Sequence, residues 1–309
     1  MTPDDTQLSS HTENASTRSS EQLHSNSYEI FIVGTGVIPG LHLTREAEAA
    51  IKASKEVLFV DKSFGITELL SSLCSRITDL HAASYREGES RLDAYRNMSS
   101  LVINAALDHP PVTFALYGHP LVYALPPFMV IAAAEALGLK VKVLPGISSL
   151  DTMFADLRFD PCTQGVQMYE ATDILLRKRP IQPDVPCFLW QVGTVGSRLY
   201  SEKSSKPERF AEIRKYLLKI YPGDHKMVAI YSSSIPLAPP TLVEFTLDTM
   251  EDKAADLHQG VTVFIPPKMT RPIKNRTLLS AMDDNNQLSR VTFGPTHSKT
   301  ARKKSPTKR

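Results

Sequence analysis

The chain has 309 residues, 42% hydrophobic and 22% charged, which excludes a mainly disordered or collagen-like polypeptide and allows one large domain or two of moderate size. The net charge of +2 is uneven: residues 1–27 set Arg18 against Asp4, Asp5, Glu13 and Glu21, while residues 270–309 set ten Lys/Arg against Asp283 and Asp284, leaving a mildly acidic body. The longest apolar run, Leu121 to Ala134, is too short and too broken for a membrane span, the first residues lack the apolar stretch of a secretory signal, and three cysteines without CxxC spacing argue against a disulfide framework, so a cytoplasmic protein is expected.

Residues 1–27 are rich in Ser, Thr, Asn and Gln without apolar periodicity and are expected to be disordered. Tyr28–Val33 reads as a buried strand running into Gly34-Thr35-Gly36. Thr44 reads as the N-cap of a helix reaching about Ser54, with Glu46 and Glu48 in its first turn. Val57–Val60 is a second strand. Arg91–Leu107 carries a helical stripe of Leu92, Tyr95, Met98, Val102 and Ala106. The strand Val112–Leu116 ends in Tyr117-Gly118-His119-Pro120, Pro127–Leu137 is a helix closed by Gly138, and the strand Val141–Leu144 leads into Pro145-Gly146. From Ile147 to Asp160 the alternation loosens. Cys187–Gln191, a helix over Glu208–Ile220, Met227–Tyr231, Thr241–Phe245 and Val261–Ile265 follow.

Strands alternating with helices predict an α/β fold, with a largely parallel sheet first and a mixed sheet after it. The expected organisation is a tail over 1–27, an α/β domain over 28–146, a second over 147–268, and a basic, largely disordered tail over 269–309. That last tail is read as solvated rather than as a nucleic-acid contact.

Three glycine-bearing turns follow strands: Gly34-Thr-Gly36-Val-Ile-Pro-Gly40, Tyr117-Gly118-His119-Pro120 and Pro145-Gly146-Ile147-Ser148. Ligands in open α/β sheets sit at the C-terminal ends of strands. Taken singly, each turn fits a structural corner; together they point to a shared crevice. The first is not a dinucleotide fingerprint, because its third glycine comes one residue late, and no GxxxxGK[ST] is present. Arg91 and Tyr95 are four apart, so on a helix they share a face, although Tyr95 packing in the stripe beside a solvated Arg91 is the plainer reading. His119 fits a hydrogen-bonding role within its own turn. No metal-ligand cluster is evident.

The GTGVIPG, YGHP and LPGISS segments resemble the tetrapyrrole methylase superfamily of S-adenosylmethionine-dependent methyltransferases. The resemblance implies two α/β domains, the cofactor in the cleft between them, and a homodimer. A narrower resemblance rests on YREGESRLDAYRNM (85–98), ALYGHPLVYA (115–124), LPGISSLDTMFADLRFDP (144–161), MYEATDILLRKRP (168–180), FLWQVGTVG (188–196), YPGDHKMVAIYSSSIP (221–236) and VTVFIPPK (261–268). These are similar to the borosin peptide backbone N-methyltransferases, which methylate amide nitrogens of a ribosomal peptide. The family's catalytic tyrosine–arginine–tyrosine group then falls on Tyr85, Arg91 and Tyr95, with Tyr117 beside the transferable methyl. The cofactor pocket would use Gly34, Gly36, Tyr117, His119, Val122, Tyr123, Ser148, Ser149, Gln191, Tyr231, Ser232 and Thr262, and no metal. Leu121 and Ser149-Leu150-Asp151 depart from the family's pattern within the cofactor loops.

An amide nitrogen is a poor nucleophile because its lone pair is delocalised into the carbonyl. Methylation therefore needs imidate character, which a guanidinium near the carbonyl oxygen stabilises. A tyrosine serving as base must have its pKa lowered by a neighbouring cation, and Arg91 is expected to do both. Residues 270–309 carry only isolated apolar side chains (Leu278, Leu279, Met282, Leu288, Val291, Phe293), unlike an apolar core peptide. A separate precursor peptide acting in trans is the expected substrate. The rival expectations are a methyltransferase for a tetrapyrrole or other small molecule, and a non-catalytic binding protein of the same fold.

Overall fold

The computed structural model describes residues 28–293; the disorder expected over 1–27 and beyond 293 falls outside the described residues. The first sheet comprises β1 (Ile30–Gly34), β2 (Glu56–Val60), β3 (Ile77–Asp79), β4 (Val112–Leu116) and β5 (Val141–Leu144). Its order is β3-β2-β4-β1-β5, and every pairing is parallel. A parallel sheet must be covered on both faces. Accordingly β4 is buried at all five positions, and β1 sends Ile30 and Ile32 to one core and Val33 to another.

Five helices supply the covering: α1 (Arg45–Ala53), α2 (Ile66–Leu73), α3 (Leu80–Ser84), α4 (Arg91–Asp108) and α5 (Pro126–Ala136). Ala47 and Ile51 of α1 pack with Ile66 and Leu70 of α2 against Val33, Val57 and Phe59. On the other face, Met98 and Val102 of α4 pack with Val130 and Ala134 of α5 against Ile30, Ile32 and Phe114. The Thr44 cap is present: its side chain accepts from Ala47 N–H at 3.1 Å. Helices α2 and α3 and strand β3 are not among the elements read from the sequence; each is short, eight residues or fewer.

The second half contains α6 (Ser149–Leu157), β6 (Gln167–Glu170), α7 (Ala171–Arg177), β7 (Cys187–Trp190), α8 (Ala211–Leu217), β8 (Lys226–Tyr231), β9 (Thr241–Thr246) and β10 (Thr262–Ile265). Its sheet runs β6-β7-β10-β8-β9 and is mixed, as expected: β6 lies parallel to β7 and the other pairings are antiparallel. Ile174, Ile213 and Leu217 cover one face. Met153 of α6, with Phe188, Trp190, Ile230 and Phe264, fills the other.

Two expectations are corrected here. Where the alternation loosens, the chain forms α6, started by a capping box: Ser148 Oγ accepts from Leu150 N–H at 3.1 Å, and Asp151 Oδ2 accepts from Ser148 N–H at 2.7 Å. The helix expected over Glu208–Ile220 begins as a tight 3-10 turn, Pro207–Phe210, which carries Phe210 into the core before α8 starts.

Residues 269–293 form a separate small unit. Expected to be largely disordered, they hold α9 (Arg276–Ala281) and α10 (Asn285–Val291), neither with a buried residue. Local caps substitute for a core: Asn275 Oδ1 accepts from Leu278 N–H and Asp284 Oδ1 from Asn286 N–H, both at 2.8 Å. Among the described residues no helix is long and apolar enough to cross a membrane.

Candidate functional site

The three glycine turns converge at the C-terminal ends of β1, β4 and β5. Gly36 and Gly118 form an antiparallel bridge, with N–H···O distances of 3.2 and 2.9 Å. A Cβ on Gly34 would lie 2.4 Å from Gly118 O and 2.6 Å from Gly146 N, and one on Gly146 would lie 2.3 Å from Gly118 O. The glycines are thus required where backbone meets backbone. The Thr35 hydroxyl, between them, lies 2.8 Å from Asp61 Oδ2 and 2.9 Å from Leu116 O and shares its one proton between these acceptors, tying the end of β2 into the same corner.

Beside this corner lies a cavity of about 240 Å³. Eight of the sequence-derived cofactor residues line it: Tyr117, Val122, Tyr123, Ser149, Gln191, Tyr231, Ser232 and Thr262. Gly34, Gly36, His119 and Ser148 do not. Gly34 and Gly36 are buried in the backbone corner. His119 Nδ1 accepts from Leu121 N–H at 3.2 Å, and Ser148 caps α6. The Ser232 hydroxyl is already engaged, donating to Asp156 at 2.6 Å and accepting from Thr152 at 2.8 Å. Burial pushes the Tyr117 phenol above its ordinary value, with Tyr231 and Asp61 adding to the effect.

A second cavity, about 390 Å³, is lined by Arg91, Leu92, Tyr95, Leu125, Glu170 and Arg198 among others, and shares Tyr123 and Gln191 with the first. These two shared residues have left-handed backbones, with φ of +52° and +56°. Gln191 Nε2 donates to Tyr123 O at 3.3 Å. Non-glycine residues held in this region cost free energy and persist at ligand clamps and active sites. The Tyr123 ring stacks on Trp190 at 4.6 Å, and burial lifts its phenol to about 12.

Tyr85, Arg91 and Tyr95 are brought together. The Tyr85 and Tyr95 rings meet edge to face at 6.3 Å, and Arg91 lies one turn before Tyr95 on α4. Arg91 Nη2 donates to Ser197 O at 2.6 Å, and no carboxylate among the described ion pairs neutralises its charge. Arg91 pulls the Tyr85 pKa down as expected, but the expectation that it brings the phenol below its ordinary value is corrected. Burial holds that phenol well above the ordinary value of 10, Tyr95 raises it further, and Arg91's opposite pull is the smaller effect.

The sequence reading missed Met153, Trp190, Gln259 and Tyr200. The first three line the smaller cavity, and the Tyr200 ring stacks on Tyr85 at 4.5 Å. Trp190 was the one with a signal, being a lone Trp at the end of a buried strand run. No group of three or more His, Cys, Asp and Glu is placed to hold a metal among the described residues.

The lining fits S-adenosylmethionine by its chemistry. Tyr117, Tyr123, Val122, Met153 and Ile230 offer apolar and aromatic surface, while Ser149, Gln191, Gln259 and Thr262 offer hydroxyls and amides for ribose and amino-acid groups.

Comparison with known proteins gives a consistent result. The chain is 30% identical over 239 residues to a methyltransferase/cyclic peptide gymnopeptides precursor of Gymnopus fusipes, covering 77% of this chain and 57% of that protein. It is 29% identical over 253 residues to the methyltransferase/cyclic peptide omphalotin A precursor of Omphalotus olearius, covering 82% and 60%. It thus spans somewhat over half the length of these relatives. Among solved structures, uroporphyrin-III C-methyltransferase from Thermus thermophilus, complexed with S-adenosylhomocysteine, matches with a TM-score of 0.54 at 17% identity, covering 77% of this chain and 96% of that one. The methyltransferase CobJ matches with a TM-score of 0.53 at 13% identity, covering 81% and 98%. Residues 29–236 match the family model of the Tetrapyrrole (Corrin/Porphyrin) Methylases. With that match over most of the described chain, a parallel sheet whose glycine corners border a cavity suited to the cofactor, and relatives named as methyltransferases, this chain belongs to the tetrapyrrole methylase family of S-adenosylmethionine-dependent methyltransferases.

Proposed function

We propose that the chain transfers methyl groups from S-adenosylmethionine to backbone amide nitrogens of a ribosomally made peptide. The observation that carries this reading is that Arg91 and Tyr95, with the Tyr85 ring set edge to face against Tyr95, border a cavity that shares Tyr123 and Gln191 with the smaller one. Relatives named as methyltransferase and cyclic-peptide precursor in one chain support a peptide as substrate.

Bound S-adenosylmethionine supplies an electrophilic methyl and a positive charge. Tyr117, Val122, Tyr123, Ser149, Gln191, Tyr231, Ser232 and Thr262 would hold it, and Tyr117 would lie beside the methyl. Arg91, which has no carboxylate partner among the ion pairs of the described residues, donates toward the carbonyl oxygen and stabilises imidate charge as it develops. Tyr95, one turn on, holds the same amide in line. Tyr85 is kept protonated by burial in the resting protein; once the positive charge of Arg91 and the bound cofactor has favoured loss of its proton to solvent, the phenolate would take the amide proton as the methyl passes to nitrogen and the sulfonium leaves as the neutral thioether. A separate peptide is the form of substrate that residues 269–293 support, since their apolar side chains are isolated along short helices. Homodimerisation and a cytoplasmic location complete the proposal.

The test has two stages. S-adenosylmethionine should bind by calorimetry and raise Tm; no binding at high micromolar concentration overturns the reading. Incubation with cofactor and peptide from the gymnopeptides precursor should then add mass in steps of one methylene, placed on backbone nitrogens by tandem mass spectrometry. Additions within Leu288–Phe293 would show that the chain carries its own substrate. Methylation of a porphyrinoid and no peptide would demote Tyr85, Arg91 and Tyr95 to structural roles.

A further inference from the structure

One segment from the second half of the fold, Ser197–Glu202, grips the stretch that carries Tyr85 and Arg91. Ser90 and Leu199 form an antiparallel bridge. Gly88 N–H donates to Tyr200 O and Tyr200 N–H to Glu89 O, both at 2.8 Å, and Arg91 N–H donates to Arg198 O at 2.9 Å. The Arg91 guanidinium ends on Ser197 O. Ser201 Oγ and Glu202 N–H both donate to the Glu87 carboxylate.

Tyr200 is the side chain of this segment that meets the catalytic group. Its ring stacks on Tyr85 at 4.5 Å and 25°, opposite in character to the edge contact that Tyr95 makes with Tyr85. Its hydroxyl donates to Glu202 Oε1 at 2.7 Å, so the contact with His81 Nε2 at 3.0 Å has His81 as donor. Burial and the nearby Lys62 hold His81 below its ordinary range, consistent with a neutral ring carrying its proton on Nε2. Glu202 is in turn held by Lys62 at 2.5 Å. Tyr200 belongs to none of the hydrophobic cores, whereas Tyr85 and Tyr95 pack against one. It stands in the wall of a third cavity, about 420 Å³, together with Tyr85 and His81. Filling a core is therefore not its role, and a hydroxyl anchored at both ends is more than packing needs.

We propose that Tyr200 is a positioning residue for methyl transfer: pinned by Glu202 and His81, it fixes the plane of the Tyr85 ring between itself and Tyr95. The inference rests on the proposed function for its catalytic meaning. Its geometric content stands separately, because small displacements of a reacting group cost large factors in rate.

The test uses the full chain labelled with 3-fluorotyrosine, with the Tyr85 fluorine resonance assigned through Tyr85→Phe. In Tyr200→Leu that resonance should move to the position of a solvated fluorotyrosine; in Tyr200→Phe, which keeps the stack, it should move less and broaden. An unchanged Tyr85 resonance in folded Tyr200→Leu overturns the proposal, and should that variant not fold, an unchanged resonance in both Tyr200→Phe and His81→Ala does the same. This readout needs no substrate, so it separates failure of the positioning from failure of the peptide reading. With gymnopeptides-precursor peptide as probe, Tyr200→Leu should lower kcat about 10- to 100-fold while leaving KM and cofactor affinity near wild type. In a Tyr85→Phe background the same change should cost less than about 2-fold, because the two act as a unit. Additive losses would return Tyr200 to a purely structural role.

Discussion

The two sheets contribute to the site in different currencies. The first half contributes a backbone corner, where Gly34, Gly118 and Gly146 press main chain against main chain and Thr35 and Asp61 lock the turn, together with the side chains of Tyr117, Val122 and Tyr123 and the catalytic trio. The second half contributes mainly side chains: Gln191, Tyr231, Ser232, Gln259 and Thr262 in the smaller cavity and the Tyr200 ring against Tyr85, with the Ser197 carbonyl accepting from Arg91. Backbone contacts at 2.3–2.6 Å from a would-be Cβ leave no room for any side chain. Side-chain contacts across a cavity can be re-tuned without disturbing the sheet. The glycine corner is a fixed platform and the side chains that both halves set around the cavities are an adjustable wall, a division that suits a fold called upon for different substrates.

The largest effect should follow removal of the charge between the two halves. Arg91→Ala should lower methyl transfer about 10²- to 10³-fold while cofactor affinity by calorimetry stays near wild type, since its role is realised in the transition state. Retained activity would place Arg91 among solvated surface charges.

Next comes the platform itself. Gly34→Ala drives a methyl into Gly118 O and Gly146 N, neither of which is the end of a flexible side chain. Denaturant unfolding should show a loss of about 3 kcal/mol, the upper part of the overpacking range. A loss under about 0.5 kcal/mol would mean that the corner yields and the contrast between platform and wall is false.

The far end of the first sheet sharpens the comparison by being remote from both cavities. Buried Glu56 at the start of β2 accepts from Thr78 at 2.5 Å and meets Arg76 at 3.0 Å and His109 at 2.7 Å. Glu56→Gln should cost about 2 kcal/mol of stability, in the range for hydrogen bonds to a charged group, with activity unchanged at temperatures where the protein stays folded. The hydrogen bond to Asp108 first, and that to Glu56 second, hold the His109 pKa above 6.5. Its stabilising contribution is therefore complete below about pH 6.5 and lost as the pH rises through the folded-state value. In Glu56→Gln that pH dependence should shrink without vanishing, as a series of melts from pH 5 to 9 would show.

The smallest effect belongs to the helix that opens the second half. Ser148→Ala removes the capping box of α6 and should cost about 1 kcal/mol. Because Ser149 and Met153 ride on α6 into the smaller cavity, cofactor affinity should fall alongside stability. The Thr44→Ala change on α1 should cost about as much in stability with affinity untouched.

Much of this architecture was legible in the chain. The strands from Ile30 to Ile265 that carry dense β-branched runs, the Thr44 cap, the stripe of α4 and the mixed character of the second sheet follow from periodicity and capping chemistry, which are local. Helix α6 was also readable in principle, because Ser148-Ser149-Leu150-Asp151 is a capping-box spelling, although the same letters stood out first as a departure in the cofactor loop. Tyr85, Arg91 and Tyr95 were named through family resemblance, and α4 alone explains only why the last two share a face.

What the sequence by itself determined is therefore the order of elements, the parallel-then-mixed sheets and the residue types available for chemistry. Tertiary structure alone decided that the glycines serve backbone against backbone, that Gln191 and Tyr123 join two cavities, that burial outweighs Arg91 at the Tyr85 phenol, and that Tyr200, 115 positions further on, stacks against that ring. The physical reason is range. Capping and amphipathic patterns act over four or five residues, whereas desolvation, stacking and the close approach of two main chains depend on which distant segments the fold brings together.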